Sequence, residues 1–177
     1  MDIYVHYGTD EIDPKYRYGK WKFDIFKPSG LWACDEKQEN NWKSWCIGER
    51  FEKSDFSKYV KFSLKDDARI LTIEKTEDAI PFIIMDTKTT KSYKEKGIMG
   101  LSSISGCSLN EIKLKKQFDG MKLVHGENYN ELHLNPGLFY AWDVDSIVVW
   151  NLDKINVIST SNDPSNEKKK RRIRVCA

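Results

Sequence analysis

Apolar and polar residues alternate in several short stretches of the chain, and this period of two is typical of half-buried β-strands. Four such stretches lie in the first half: DIYVHY (2–7), GLWACD (30–35), KYVKFSLK (58–65) and ARILTIEK (68–75). They are rich in β-branched and aromatic residues and are bounded by turn-forming Gly, Pro and Asp. The pattern therefore predicts four strands before residue 76.

Helical spacing replaces alternation in EKQENNWKSWCIGE (36–49). Trp42, Trp45, Cys46 and Glu49 recur there at i, i+3, i+4 and i+7, and Asp35 precedes them as a candidate N-cap. The spacing predicts an amphipathic helix whose buried face is the pair of indoles.

Two further helices are predicted from local signals. SLNEIKLKKQF (108–118) carries Ser108 and Glu111 in the positions of a capping box. TEDAIPFIIMD (76–86) begins like a helix, but Pro81 permits only one turn before it. Residues 87–107 show no clear period.

The second half of the chain adds four predicted strands: GMKLVHG (120–126), YNELHL (129–134), DSIVVWN (145–151) and KINVIST (154–160). Ile147, Val148 and Val149 are consecutive, which is typical of a strand covered on both faces. Strands with two to three interspersed helices and no βαβ rhythm predict an α+β fold with a mainly antiparallel sheet.

Composition favours one folded domain. Of 177 residues, 40% are hydrophobic, 12% aromatic and 32% charged. No apolar stretch reaches the ~20 residues that span a bilayer, so no membrane association is expected. The four cysteines show no CxxC or Cys/His spacing of a zinc site and no signal peptide is evident, which predicts a cytoplasmic protein without a metal.

The charge is concentrated at the C-terminus. KKKRRIR (168–174) holds six of the 29 basic residues, and without it 23 basic residues face 27 acidic ones. We therefore expect a single domain over residues 1–160 and a basic, flexible tail over 161–177. The tail is either a solvated end or an arm that binds nucleic acid.

Three places combine a strand end with chemically useful side chains. The first is His6-Tyr7-Gly8, and the second is Trp32, which follows Pro28-Ser29-Gly30. The third is the pair Asp143 and Asp145 ahead of the apolar strand; their equal parity would place them on one face of an extended chain. Each also has a purely structural interpretation, as a core histidine, a packed indole or a solvated turn.

In this order, the three places resemble the His-Tyr-Glu class of the ADP-ribosyltransferase superfamily. YVHYGTDEI (4–12) is similar to its first core strand, PSGLWACDEKQENNWKSWC (28–46) to its aromatic strand and helix, and FDGMKLVHG (118–126) and DSIVVWNLDKI (145–155) to its late strands. Small phage and bacterial members, such as anti-CRISPR ADP-ribosyltransferases, also depart from the family motif. The resemblance covers less than half of the chain.

The resemblance implies a split β-sheet and NAD as a substrate, with no metal. Asp145 takes the position of the catalytic glutamate, while His6, Tyr7, Gly8, Trp32 and Trp142 would contact NAD. The loop 134–144, with Asp143 and Tyr140, would face the acceptor. Lys27, Lys20 and Arg17 are the nearest candidates for the phosphates.

Two residues depart from the family pattern, because Asp145 replaces a glutamate and Trp32 stands where a tyrosine is usual. The expected activity is cleavage of the nicotinamide–ribose bond of NAD and transfer of ADP-ribose to a macromolecular acceptor, protein or nucleic acid. A toxin, a phage effector or an anti-defence protein in a bacterial cytoplasm would fit. The alternatives are an NAD glycohydrolase and a non-catalytic module that binds protein or nucleic acid.

Overall fold

The computed structural model describes residues 2–12, 26–39, 41–51, 55–101, 106–134 and 137–163. Nine strands are found in these ranges: β1 (Tyr4–Tyr7), β2 (Leu31–Asp35), β3 (Tyr59–Leu64), β4 (Ile70–Ile73), β5 (Ile83–Met85), β6 (Cys107–Leu109), β7 (Gly120–Leu123), β8 (Ser146–Val149) and β9 (Ile155–Thr160). The four strands predicted before residue 76 are all present.

Seven of these strands form one mixed sheet in the order β4-β7-β8-β2-β1-β3-β9, and β5 and β6 form a separate antiparallel pair. Within the large sheet only β4 and β7 run parallel. The α+β class and the mainly antiparallel sheet are therefore confirmed. The strands β3 and β4, although adjacent in sequence, do not pair with each other: β3 pairs with β1 and β9, and β4 with β7.

The helices number more than the predicted two to three. The described ranges contain four α-helices, α1 (Trp42–Gly48), α2 (Thr76–Ala79), α3 (Thr87–Lys96) and α4 (Glu111–Gln117). Short 3₁₀ turns lie at Ile80–Phe82, Gly97–Gly100, Gly126–Asn128 and Leu152–Lys154. Pro81 lies in the first of these turns, directly after α2. Because proline has no backbone N–H, it could not have continued the hydrogen bonding of α2.

Helix α1 begins later than predicted and buries a different face. Asn41, not Asp35, is the N-cap, and its side chain accepts from the backbone N–H groups of Lys43 and Ser44. Cys46 is the buried residue of the helix, whereas the indoles of Trp42 and Trp45 are half-exposed and stack on each other at 5.0 Å. The prediction that the indoles form the buried face was wrong.

Two other local predictions were also wrong. Asn110 caps α4 by accepting from the N–H of Lys113, while Ser108 belongs to β6. Residues Asn130–Leu134, predicted as a strand, form a π-helical turn. Leu132 is the buried residue of that turn, so one buried position replaces the alternation that the sequence suggested.

The sheet separates two hydrophobic cores. Val148 packs into one of them with Met121, Phe139 and Trp142, whereas Ile147 and Val149 pack into the other. The side chains of Ile147, Val148 and Val149 are fully buried, each worth about 1.5–3 kcal/mol of burial free energy, whereas Ser146, the first residue of β8, is half-buried. The predicted coverage of this strand on both faces is confirmed.

Within the described ranges, no helix is both long and apolar enough to cross a membrane.

Candidate functional site

The fold brings the three chemically suggestive segments together. Strands β8, β2 and β1 are neighbours in the sheet. Trp32 on β2 lies opposite Val148 on β8, and Cys34 lies opposite Val5 on β1. His6 and Tyr7 at the end of β1 and the residues ahead of β8 therefore flank the same strand.

A cavity of about 210 Å³ lies at this junction. His6 and Tyr7 line it from β1, Trp32 from β2, Trp42 from α1, and Trp142 and Asp143 from the loop before β8. The lining also includes Lys27, so the cavity combines three indoles with one carboxylate and one ammonium group. Its volume is below the ~300–1,000 Å³ of pockets for drug-sized ligands, so the cavity would enclose only part of such a ligand.

Two of the indoles are held by their contacts with each other and with the backbone. Trp32 and Trp142 meet at 4.4 Å between ring centroids with an interplanar angle of 62°. The Nε1–H of Trp142 donates to the carbonyl of Phe26 at 3.0 Å. The Nε1–H of Trp32 is buried and has no acceptor among the described residues. The indole of Trp142, fixed by its hydrogen bond, therefore packs against the indole of Trp32, whose N–H has no acceptor among the described residues.

His6 is fixed against the neighbouring strand. Its Nδ1 lies 2.6 Å from the carbonyl oxygen of Trp32, and because a carbonyl can only accept, Nδ1 carries the proton. Burial lowers the pKa of His6, and the bond to Trp32 offsets this only in part. A neutral imidazole with a defined tautomer thus borders the cavity.

Asp143 supplies the carboxylate of the cavity. Burial raises its pKa, while the positive charge of Lys27 and the nearby imidazoles of His133 and His125 act in the opposite direction. The ionised form is therefore under-solvated in the free protein, and a cationic ligand would restore the missing stabilisation.

Asp145 lies outside this cavity and is already bonded. Its Oδ1 accepts from the backbone N–H of His125 at 2.8 Å and lies 2.7 Å from Nδ1 of the same residue, and its Oδ2 accepts from Gln38 at 2.8 Å. Burial would raise the pKa of Asp145, but these hydrogen bonds outweigh it and hold the pKa below its usual value. Asp145 lines a second cavity of about 290 Å³, together with Tyr4, Asp35, Lys37 and Lys122.

The remaining predicted site residues are divided. Gly8 has a φ of 99°, which favours glycine, and donates to the carbonyl of Lys58, but it does not line the first cavity. Tyr140 is 61% exposed and also lies outside it. Arg17 and Lys20 fall outside the described residues. His6, Tyr7, Trp32, Trp142 and Asp143 are brought together.

Sequence reasoning missed three residues with a place in or beside the site. Trp42 was assigned to a buried helix face, and the pairing of Asp145 with His125 and Gln38 joins positions that are 20 and 107 residues apart along the chain. No local pattern marks contacts of this range. The one available signal for His125 was its position near the end of the predicted strand 120–126.

In the part of the chain that the structure describes, no group of three or more His, Cys, Asp or Glu side chains is arranged to hold a metal ion. Comparison of the chain with protein-family models, with curated proteins and with solved structures found no match.

Proposed function

We propose that the protein is an ADP-ribosyltransferase that binds the nicotinamide–ribose end of NAD in the cavity between β1, β2 and the loop before β8. The observation that carries the proposal is the convergence of His6, Trp32 and Asp143 on one cavity. His6 and Trp32 come from two segments that resemble the His-Tyr-Glu class, and Asp143 comes from the loop ahead of the third; more than a hundred positions of sequence separate Asp143 from the other two.

The chemistry of the cavity suits the nicotinamide ring of NAD. That ring is a planar cation, and indole faces attract cations through their quadrupole, by about 0.5–2 kcal/mol each. Trp32, Trp42 and Trp142 supply the aromatic lining, and Asp143 supplies the opposite charge. An acceptor such as the carboxamide oxygen of the ligand would also satisfy the Nε1–H of Trp32.

In the proposed reaction, the bond between the ribose C1′ and the nicotinamide nitrogen breaks. Its electron pair stays on the nitrogen, so neutral nicotinamide leaves and positive charge develops on the ribose ring. The nucleophile of the acceptor then bonds to C1′ and loses its proton to solvent. Because no protonation of the leaving group is needed, the protein contributes positioning and electrostatic stabilisation of that charge.

We assign the stabilising carboxylate to Asp143 rather than to Asp145, the residue that the family resemblance implies. Asp143 lines the cavity and has an under-solvated charge, whereas both oxygens of Asp145 already accept hydrogen bonds. A carboxylate whose charge is already stabilised by hydrogen bonds to both oxygens gains less from a developing cation. Lys27, whose ammonium group lies 5.7 Å from the centre of the Trp32 ring, would meet a phosphate of the dinucleotide.

The decisive experiment measures the release of nicotinamide from NAD labelled in the nicotinamide ring, with a bacterial lysate as the source of acceptor. Parallel reactions carry the label in the adenine, so that transfer to protein or nucleic acid is seen as retained label. Wild type is compared with Asp143→Asn and Asp145→Asn, and with Asp66→Asn, which changes an exposed carboxylate in the turn after β3.

We expect release and transfer by the wild type and by Asp66→Asn, and a loss of at least about 10²-fold in Asp143→Asn. Asp145→Asn should lose less. Release without transfer would identify a glycohydrolase instead. Absence of release under all conditions would contradict the proposal, and a full rate in Asp143→Asn would contradict the assignment of the carboxylate.

A further inference from the structure

Three aromatic rings form a cluster beside the second cavity, on the segment that follows β7. His125 and His133 lie 6.0 Å apart between ring centroids, with an interplanar angle of 72°. Tyr129 contacts both, stacked on His133 at 4.7 Å and tilted against His125 at 5.2 Å. The 3₁₀ turn at Gly126–Asn128 and the π-helical turn at Asn130–Leu134 produce this arrangement, because they fold the segment back on itself.

The orientation of His125 is set by a carboxylate. Asp145 accepts from the backbone N–H of His125 and lies 2.7 Å from its Nδ1. An ionised carboxylate can only accept, so the proton of the neutral imidazole resides on Nδ1 and the lone pair on Nε2. Carboxylate–imidazole pairs of this kind orient metal-binding histidines and raise their basicity.

Two ring nitrogens of the cluster have no hydrogen-bond partner among the described residues. They are Nε2 of His125, whose side chain is 7% exposed, and Nδ1 of His133. Each is closed off from solvent, and an unsatisfied buried polar group costs about 1–3 kcal/mol. The lack of a partner at both nitrogens, which lie on neighbouring rings, has a single physical explanation if both bind the same ligand.

We propose that Nε2 of His125 and Nδ1 of His133 together bind one divalent transition-metal ion, with Zn²⁺ as the reference case. Two Zn–N bonds of ~2.0–2.1 Å, added to the distance from each ring centre to its nitrogen, reach at most about 6.4 Å between centroids, so the observed 6.0 Å requires an N–Zn–N angle wider than tetrahedral or a small shift of one ring. Imidazole nitrogen is a preferred ligand of Zn²⁺, Cu²⁺ and Ni²⁺ and a poor ligand of Mg²⁺ and Ca²⁺.

The surroundings supply the remaining requirements of such a site. Asp145 is the outer carboxylate behind His125, and Asp143 lies close enough to interact electrostatically with both imidazoles, so two negative charges compensate the ion. Tyr129 fixes the ring planes from one side. Two protein ligands leave coordination positions vacant. Because both nitrogens are closed off from solvent, the segment that follows β7 must shift to admit the ion together with the solvent or small anion that completes its shell.

The test uses the full chain and measures Zn²⁺ binding by competition with a chromophoric chelator. The chain contains three histidines, so the third serves as a matched control. His133→Phe keeps the ring that stacks on Tyr129 and removes the nitrogens, His125→Asn keeps a donor toward Asp145 and removes Nε2, and His6→Asn leaves the cluster intact. We expect saturable binding of one ion by the wild type and by His6→Asn, and affinity lower by at least about tenfold in the other two.

Two spectroscopic measurements on the wild type keep the proposal testable if a variant does not fold. Long-range ¹⁵N–¹H spectra should show Zn²⁺ shifting Nε2 of His125 and Nδ1 of His133, with the proton of free His125 on Nδ1. Co²⁺ should bind without the charge-transfer absorption of a thiolate. Absence of saturable binding, unchanged binding in His133→Phe, or a thiolate band that places the ion on a cysteine would each overturn the proposal.

Discussion

Asp143 and Asp145 are two positions apart in the chain but line different cavities, and their surroundings displace their pKa values in opposite directions. Asp143 shares its cavity with His6 and Trp32, and burial raises its pKa. Asp145 is bonded to His125 and Gln38, and these bonds lower its pKa in spite of burial. The charge of Asp143 is thus poorly stabilised within the protein and could be stabilised by a cation, whereas the charge of Asp145 is already stabilised by hydrogen bonds within the protein.

This difference predicts opposite effects of two matched substitutions on stability. A raised pKa means that folding disfavours the ionised form of Asp143, so Asp143→Asn should raise Tm at neutral pH. The lowered pKa of Asp145 means that folding favours its charge, so Asp145→Asn should lower Tm. Calorimetry on the two variants at one neutral pH checks both signs.

We expect Asp143→Asn to gain stability and to lose NAD cleavage. This combination is typical of a functional residue that lowers the stability of the folded protein. The interpretation would be wrong if Asp143→Asn were less stable than the wild type, because the carboxylate would then be serving the structure.

The two indoles that meet in the cavity allow a second prediction. Trp142→Phe removes the indole N–H that donates to the carbonyl of Phe26 and should lower the free energy of unfolding by about 1 kcal/mol or more. Trp32→Phe removes a buried N–H that has no protein acceptor, so the lost donor itself should carry no stability cost. Its effect should fall on ligand binding instead, as a rise in the KM for NAD of up to about tenfold.

Denaturant unfolding of both variants, together with their NAD kinetics, separates these effects. Equal losses of stability in the two variants would show that Trp32 has a protein partner for its indole N–H under solution conditions.

Much of the strand content could be predicted, because alternation and β-branched residues mark β1, β2, β3, β4, β7, β8 and β9 directly. Helix α3 could not, since TKTTKSYKEK (87–96) buries only Thr89 and thus has no apolar stripe to detect. The parallel pairing of β4 with β7 is invisible to local pattern, because it joins Ile70 to Gly120 across fifty residues.

The site could be predicted in part. The sequence identified His6, Trp32 and the two acids as candidates, and parity along an extended chain suggested that the acids share a face. That assumption was wrong because β8 begins only at Ser146. Asp143 therefore lies in a loop, where side chains do not alternate between two faces as they do along a strand. The contacts of Asp145 depend on tertiary pairing with His125, which only the folded chain reveals.

Asp119 provides a prediction on pH. It is 3% exposed, and it accepts from the backbone N–H and the Nε of Arg69 and from the side chain of Asn151. Burial alone would raise its pKa, but these hydrogen bonds and the charge of Arg69 hold the pKa below its usual value. Asp119→Asn should therefore cost about 1–3 kcal/mol at neutral pH.

The sign of the pH dependence follows from linkage. Because the folded pKa is depressed, the contribution of Asp119 is complete above the unfolded pKa of ~3.9 and is lost as the pH falls through the folded value. Urea titrations should show the gap between wild type and Asp119→Asn narrowing below about pH 4. A gap that stays constant on acidification would show that the charge of Asp119 is not the source of the difference.

Gly30 connects the packing of the sheet to the geometry of the cavity. A Cβ at this position would lie 2.7 Å from Cγ2 of Val148 and 2.8 Å from the carbonyl oxygen of Val149, and the latter is backbone that cannot turn aside. Gly30→Ala should therefore push β2 away from β8 and cost about 1–3 kcal/mol. Gly48→Ala is the matched control: a Cβ there meets nothing within 4 Å at the end of α1, so we expect a gain of about 0.5–1 kcal/mol.

The same displacement should reach the site, because Trp32 follows Gly30 by two residues on β2 and its indole packs against Trp142. Gly30→Ala should thus weaken NAD binding even at temperatures where the variant remains folded, whereas Gly48→Ala should bind like the wild type. Tryptophan fluorescence on titration with NAD measures both variants. Normal binding by folded Gly30→Ala would mean that the position of Trp32 does not depend on the close contact between β2 and β8.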